Sequence, residues 1–393
     1  MKPAAILDVG SSKIVCAIGD FSGSDGITIY GTAVCPSAGY EDGEFLDHKS
    51  LHNAVVDAIQ QAEQEARIRI REVAIAVPCP FTKLLIRESS VPIGERGRRI
   101  QPEDVDLAMS ASLEGTDEAG YILMHSTPVS FSANGKVTPG APVGVRAPEL
   151  HMVASHMFVR EDFVRAFESV LSAVEIEISM CVSEILCSAL AVIPEKERIR
   201  PAVLIDFGYS HTDIATIENG AITGFRTIPI GGRHFASDLS FGLNVPLEAA
   251  EIVKRRYVFM QKPLSNTEII RTGSETKRVD RKVIDLIVNA RAGELMTLLR
   301  EAMKELSIVP DANPVTYVTG GGMVMMKGAL EYLQVNLQLN AKKDEPWAED
   351  MNTPNFTSTF AVLDFVIRAS GEEFVKEDNQ EGSVFSRIRD LFK

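Results

Sequence analysis

Two aspartates at the ends of apolar runs carry the most chemistry in this chain. Asp8 lies in Ala4-Ala5-Ile6-Leu7-Asp8-Val9-Gly10-Ser11-Ser12, and Asp206 lies 198 residues later in Ala202-Val203-Leu204-Ile205-Asp206-Phe207-Gly208-Tyr209-Ser210. Each is followed by an apolar residue, a glycine and small hydroxyls, then by a second apolar run (14–18 and 212–216). A carboxylate at a strand end suits a metal-bound phosphate. The glycine lets backbone approach a ligand closely, and successive amides in a turn form an anion-binding nest. Two such hairpins predict a phosphate clamp between two related halves of the chain. A third feature fits the same chemistry. Tyr317-Val318-Thr319-Gly320-Gly321-Gly322 is a strand running into three glycines, where a flat adenine could lie against bare backbone. Neither a Walker A sequence nor G-x-G-x-x-G occurs, so P-loop and dinucleotide readings have no anchor.

The rest of the composition narrows the classes. At 393 residues the chain exceeds one core and suits two to three domains. A net charge of −14 argues against nucleic acid as the main partner. The five cysteines form no C-x-x-C pair and their number is odd, which predicts buried thiols of a reduced compartment. Seven histidines lack ligand spacing, so metal binding through histidine is not expected. Lys2-Pro3 runs straight into the first strand, without a secretory signal, and no apolar stretch approaches the ~18 residues of a membrane span. A cytoplasmic protein is expected.

The elements that must position these residues repeat. Residues 4–34 read as three strands, followed by a helix over 49–68 with Leu51, Val55, Ile59 and Ala62 on one face, and a strand at 73–77. Strands at 202–207, 212–217 and 221–230 and a helix over 246–259 repeat the order. Between the copies, an insert at 81–158, turn-rich in its second half, reads as a small separate subdomain. A second insert, 262–309, reads as dominated by a helix carrying Ile284, Ile287, Leu295, Leu298, Ala302 and Leu306. Residues 371–382, with Glu372, Glu373, Glu377, Asp378 and Glu381 against Lys376 alone, read as a solvated acidic linker.

This order of motifs resembles the actin, heat-shock chaperone and sugar-kinase superfamily, and within it the FtsA family of bacterial cell-division proteins. The resemblance implies an α/β fold: an actin-like duplicated nucleotide-binding fold of two βββαβα domains around a central cleft. It places Asp8, Gly10, Ser11, Ser12 and Lys13 in a first phosphate loop and Asp206, Gly208, Ser210 and Thr212 in a second. Asp8 and Asp206 would hold Mg²⁺ through water. Gly320, Gly321 and Gly322 match the adenosine motif. Glu251 and Lys254, within Ala250-Glu251-Ile252-Val253-Lys254, match a helix whose acid and lysine reach ribose and adenine. Gly231 and Gly232 match a paired glycine after the second domain's strands. Glu184, followed by Ser188-Ala189-Leu190-Ala191, matches the connecting helix that offers a glutamate near attacking water.

The first insert points to FtsA more than the clamp does. Pro142-Val143-Gly144-Val145-Arg146, then Glu149-Leu150-His151 and Val153, resembles a passage of that family's subdomain 1C. The implied division is 1–80 with 159–198 as subdomain 1A, 81–158 as 1C, 199–232 with 310–370 as 2A, and 233–309 as 2B. The linker 371–382 and a terminal helix 383–393 follow. The second loop departs from the family. Tyr209 and Ser210 stand at glycine positions and His211 replaces a threonine, which implies ATP binding with at most slow hydrolysis. Phe360, beside Thr357-Ser358-Thr359, stands where the family often has glycine.

The last eleven residues add a separate signal. Val384, Phe385, Ile388, Leu391 and Phe392 fall within an arc of about 120° on a helix, flanked by Arg387 and Arg389. Such a stripe enters the acyl boundary while the arginines reach phosphate head groups. Five apolar side chains and a few basic groups give one tail weak, reversible binding, which a polymer would multiply through effective concentration. FtsA proteins end in such a membrane-targeting helix. The expected protein is an actin-like, ATP- and Mg²⁺-binding adaptor that polymerises on the cytoplasmic face of the membrane at the division site. It would tether the FtsZ ring there and recruit other divisome proteins. The resemblance implies that the C-terminal peptide of FtsZ docks on subdomain 2B, where Arg271, Lys277, Arg278, Arg281 and Lys282 cluster against Glu275 and Asp280. Two other readings are a metabolite kinase, for which the sequence shows no sugar- or acid-binding constellation, and an FtsA-like type IV pilus assembly protein, of which the amphipathic tail is not expected.

Overall fold

Two sheets repeat one strand order, and each carries one of the two aspartates next to the last residue of its first strand. The computed structural model describes residues 3–376, apart from 22–25, 42, 95–96, 117, 262–264, 273–274, 344–345 and 347–350. The amphipathic segment 383–393 and the linker beyond residue 376 lie outside the described residues. The chain falls into two units. One comprises residues up to Ala202, the hairpin tip Thr216–Gly224 and the chain from Ser358 onward; the other comprises Val203–Ala215 and Phe225–Thr357.

In the first unit the strands Ala4–Val9, Lys13–Phe21 and Ile27–Pro36 form the expected meander, antiparallel throughout. Glu72–Val77 pairs parallel with the first strand, and Glu177–Ser183 parallel with Glu72–Val77. The crossover is the helix His48–Ala66, opened by an Asp47 side chain that accepts from the Lys49 amide. Its apolar face is the one the periodicity predicts. Leu51, Val55, Ile59 and Ala62 are at most 2% exposed and pack on Leu7, Ile14 and Ile18. Burial of each larger side chain contributes roughly 1.5–3 kcal/mol before chain entropy is counted. The insert 81–158 builds a sheet in the order Lys136–Thr138, Tyr121–Ala133, Glu149–Arg160, Thr82–Pro92, with the helix Pro102–Ser112 and its own small core.

In the second unit the sheet runs Ala221–Ile228, Thr212–Glu218, Ala202–Phe207, Val315–Thr319, Ala341–Lys343. Third, second, first, fourth, fifth is also the order in the first unit. The duplication read in the two hairpins is therefore a duplication of topology. Helices Gly232–Leu243, Leu247–Arg256 and Arg281–Glu305 surround the core, and the hairpin Thr267–Thr272 with Glu275–Asp280 precedes the long helix.

Two boundaries differ from the expectation. The helix placed at 246–259 ends at Arg256, because Tyr257 turns extended and its ring is buried. The linker placed from residue 371 begins inside the helix Thr357–Lys376. Glu372, Glu373 and Lys376 are good helix formers, so a composition that reads as a linker also prolongs a helix already nucleated.

Candidate functional site

The first loop is built on strand ends. Val9 offers its carbonyl to the Tyr40 hydroxyl at 2.8 Å, and the Ser12 carbonyl accepts from the Ser37 amide at 3.1 Å. Gly10 sits where a Cβ would come within 2.9 Å of the Lys13 carbonyl oxygen. In the second loop a Cβ on Gly208 would come within 2.8 Å of the His211 carbonyl oxygen. The two glycines meet the same obstacle at the same offset, so both turns close in the same way on a residue without a side chain.

Asp8 is 3% exposed, with Oδ2 accepting from Ser358 Oγ at 2.8 Å and from Thr359 Oγ1 at 2.5 Å. Among the described residues its buried Oδ1 has no hydrogen-bond partner. Burial pushes the carboxyl above the usual carboxylate range, while the Thr359 and Ser358 hydroxyls and the Lys13 charge pull it down. Burial also lowers the Lys13 ammonium to about 8, against the pull of Asp8. A buried carboxylate oxygen left for a ligand is a hard donor that fits Mg²⁺ or its water. Among the described residues no group of three or more His, Cys, Asp or Glu could hold a metal ion.

The second unit gathers most of the other expected residues. Gly232 donates its amide to the Gly208 carbonyl at 2.9 Å, Arg233 to the Tyr209 carbonyl at 2.8 Å, and Gly322 to the Phe207 carbonyl at 2.6 Å. Lys254, 4% exposed, donates to the Gly232 carbonyl at 3.1 Å and pairs with Glu251 at 2.7 Å. Burial lowers its ammonium and Glu251 holds it up. Gly320 adopts φ of +100°, and a Cβ there would lie 2.3 Å from Asp206 Oδ1. Asp206, Gly208, Gly231, Gly232, Glu251, Lys254, Gly320 and Gly322 thus form one neighbourhood. Gly321 lies beside Asn355, with its Cα facing that side chain.

Other expected residues have different occupations. The buried Thr212 hydroxyl donates to the Ile230 carbonyl at 2.7 Å. Ser210, 1% exposed, lies 3.0 Å from His211 Nδ1, and His211 Nε2 lies 3.2 Å from Asp213. Glu184 opens the helix Glu184–Val192, where its charge and that of Asp364 reinforce the burial that raises the Cys187 thiol. That helix is capped by Ser183, whose amide donates to His125 Nε2 at 3.0 Å. Arg281, counted in the basic cluster, is instead paired with Glu268 and Asp285 and stacked on Tyr257. Its periodic neighbours on the sequence gave no sign of that. Ser358 and Thr359 were not singled out as site residues. Their signal was a run of three hydroxyls opening an apolar helix.

The family model for the cell division protein FtsA matches residues 203–361. FtsA of Pseudomonas aeruginosa is 25% identical over 87% of this chain and 82% of its own length. FtsA of Bacillus subtilis is 24% identical over 92% and 83%, and that of Neisseria meningitidis 24% over 98% and 96%. The chain is similar to FtsA along most of its length. Its fold is the actin-like one. A PilM–PilN type IV pilus biogenesis complex superposes with TM-score 0.63 at 18% identity, covering 93% of this chain and 98% of that one. MreB5 of Spiroplasma citri bound to ADP gives TM-score 0.58 at 14% identity, covering 96% and 99%. FtsA relatives span nearly the whole chain, and the match to the family model nearly coincides with the second unit.

Proposed function

We propose that this chain is an FtsA-type adaptor of cell division. It binds ATP with Mg²⁺ through its two Asp-x-Gly loops, polymerises, and attaches the FtsZ ring to the cytoplasmic face of the membrane at the division site through residues 383–393. The observation that carries the nucleotide half is the matched closure of Gly10 on Lys13 and of Gly208 on His211. In each loop it supports backbone amides presented to phosphate. Lys13 supplies a positive charge, Asp8 Oδ1 and Asp206 supply oxygen to the hydrated cation, and Gly320 to Gly322 supply a bare surface for adenine. Mg²⁺, when bound, would offset phosphate charge. Slow turnover follows from the second loop, where Ser210 and His211 are hydrogen-bonded to one another and Tyr209 replaces a glycine.

The partner half rests on the region read as subdomain 2B. Helices Gly232–Leu243 and Arg281–Glu305 meet where a Cβ on Gly242 would lie 2.5 Å from Ile287. The chain neighbours of that contact, Phe241 and Leu286, are 91% and 71% exposed. Exposed apolar side chains, with exposed Arg271, Arg278 and Lys282 in the same stretch 233–309, suit a short peptide with apolar and acidic residues, as expected of the FtsZ C-terminus. Among the described residues no helix is long and apolar enough to cross a membrane; the apolar stripe of 383–393 with its flanking arginines supports attachment at the surface.

Sedimentation with anionic liposomes tests the whole reading. Binding should rise with MgATP, because a polymer presents many tails, and Phe385→Asp should remove it. Binding that ignores both MgATP and Phe385→Asp would overturn the adaptor.

A further inference from the structure

We propose that Ser358 and Thr359 are positioning residues for Asp8 that link the first phosphate loop to the helix Thr357–Lys376; this rests on the nucleotide reading above. The geometry is asymmetric. Both hydroxyls donate to Oδ2, at 2.8 and 2.5 Å, and nothing described bonds Oδ1. A carboxylate held by one oxygen cannot rotate about its Cβ–Cγ bond without losing both bonds, so its other oxygen keeps one direction. Thr359 is fully buried and Asp8 nearly so, which keeps water from replacing the Thr359 donor, while Ser358 is half-buried.

The strength of this hold gives the pair its role. Hydrogen bonds from hydroxyls to a buried carboxylate are stronger than neutral ones, so the two together fix the direction in which Oδ1 is presented. Ser358 and Thr359 also stand in the first turn of a twenty-residue helix. A ligand that draws on Asp8 Oδ1 therefore acts on the start of that helix through two hydrogen bonds. The chain continues from the helix toward residues 383–393.

The test compares the full chain with Ser358→Ala/Thr359→Val, which removes both donors while nearly keeping volume, and with Thr359→Ser, which keeps the hydroxyl. ATP affinity is measured with Mg²⁺ and with EDTA, and amide exchange is followed over residues 357–370. The wild type should bind more tightly with Mg²⁺ and slow exchange at the helix start. The double variant should lose about tenfold of the Mg²⁺-dependent gain and the exchange response, while its EDTA affinity is kept, and Thr359→Ser should retain both. If the double variant unfolds, Ser358→Ala alone should show the same loss in part. Wild-type behaviour in a folded double variant overturns the positioning role and leaves the nucleotide site standing. A wild type whose ATP binding ignores Mg²⁺ overturns both.

Discussion

Gly232 donates its amide to the Gly208 carbonyl at 2.9 Å, fastening the first turn of a helix to the second phosphate loop. The glycine-rich strand end is fastened to the same loop, through Gly322 and Phe207. These glycines therefore have a packing reason as well as a ligand-binding one. A Cβ on Gly322 would strike the loop, 2.4 Å from the Gly208 carbonyl oxygen, and one on Gly232 would come within 3.1 Å of the Gly322 Cα.

Gly320→Ala sets a Cβ 2.3 Å from Asp206 Oδ1 and 2.4 Å from the Phe207 carbonyl oxygen, at φ of +100°. It should cost at least about 3 kcal/mol. Gly293, in the middle of the helix Arg281–Glu305, has open space around its would-be Cβ. Gly293→Ala should stabilise by about 0.5–1 kcal/mol. Urea unfolding of the two variants checks both signs.

Phe241→Asp should leave the unfolding midpoint nearly unchanged, since the ring is 91% exposed. It should weaken binding of an FtsZ C-terminal peptide by about tenfold or more, as loss of an apolar anchor does. Fluorescence anisotropy with the labelled peptide decides. Unchanged affinity would move the dock away from this face.

Two buried histidines set a pH dependence of stability. His156 lies between Ser112 and Ser126, its ring nitrogens 3.0 and 2.9 Å from their hydroxyls, and His125 accepts from the Ser183 amide. Burial lowers both to about 4, with the Arg87 charge helping at His156. An unfolded histidine titrates near 6.5, so between those values the unfolded chain holds more protons. The contribution is present above pH 6.5 and lost as pH falls toward 4. By pH 5 each histidine should have removed on the order of 2 kcal/mol. His156→Gln should flatten the decline between pH 7 and 5 in thermal unfolding; an unaltered slope would assign it to other groups.

Much of this was legible in the sequence. The repeat of Asp8-Val9-Gly10 in Asp206-Phe207-Gly208 announced two halves, because strand ends and turns are local and their residue types are demanding. The apolar face of His48–Ala66 was legible from its spacing, as helix burial is periodic. The contact of Ser358 and Thr359 with Asp8 was not, since it joins residues about 350 positions apart and hydroxyls at a helix start usually read as caps. Nor was the pairing of Arg281 with Glu268, which depends on how the hairpin Thr267–Thr272 with Glu275–Asp280 meets the long helix. Tyr209 and Ser210 showed the opposite limit. Their types flagged an unusual loop, while the burial of Ser210 and the exposure of Tyr209 depend on tertiary packing that residue types alone do not give.

The most direct test of the central claim is equilibrium binding of ATP, with Mg²⁺ present, to the wild type, Asp8→Ala and Asp206→Ala, with folding checked by circular dichroism. The account predicts saturable binding by the wild type and a loss of at least about tenfold in each variant, with the fold intact. Wild-type affinity in the Asp8→Ala/Asp206→Ala double variant would contradict it.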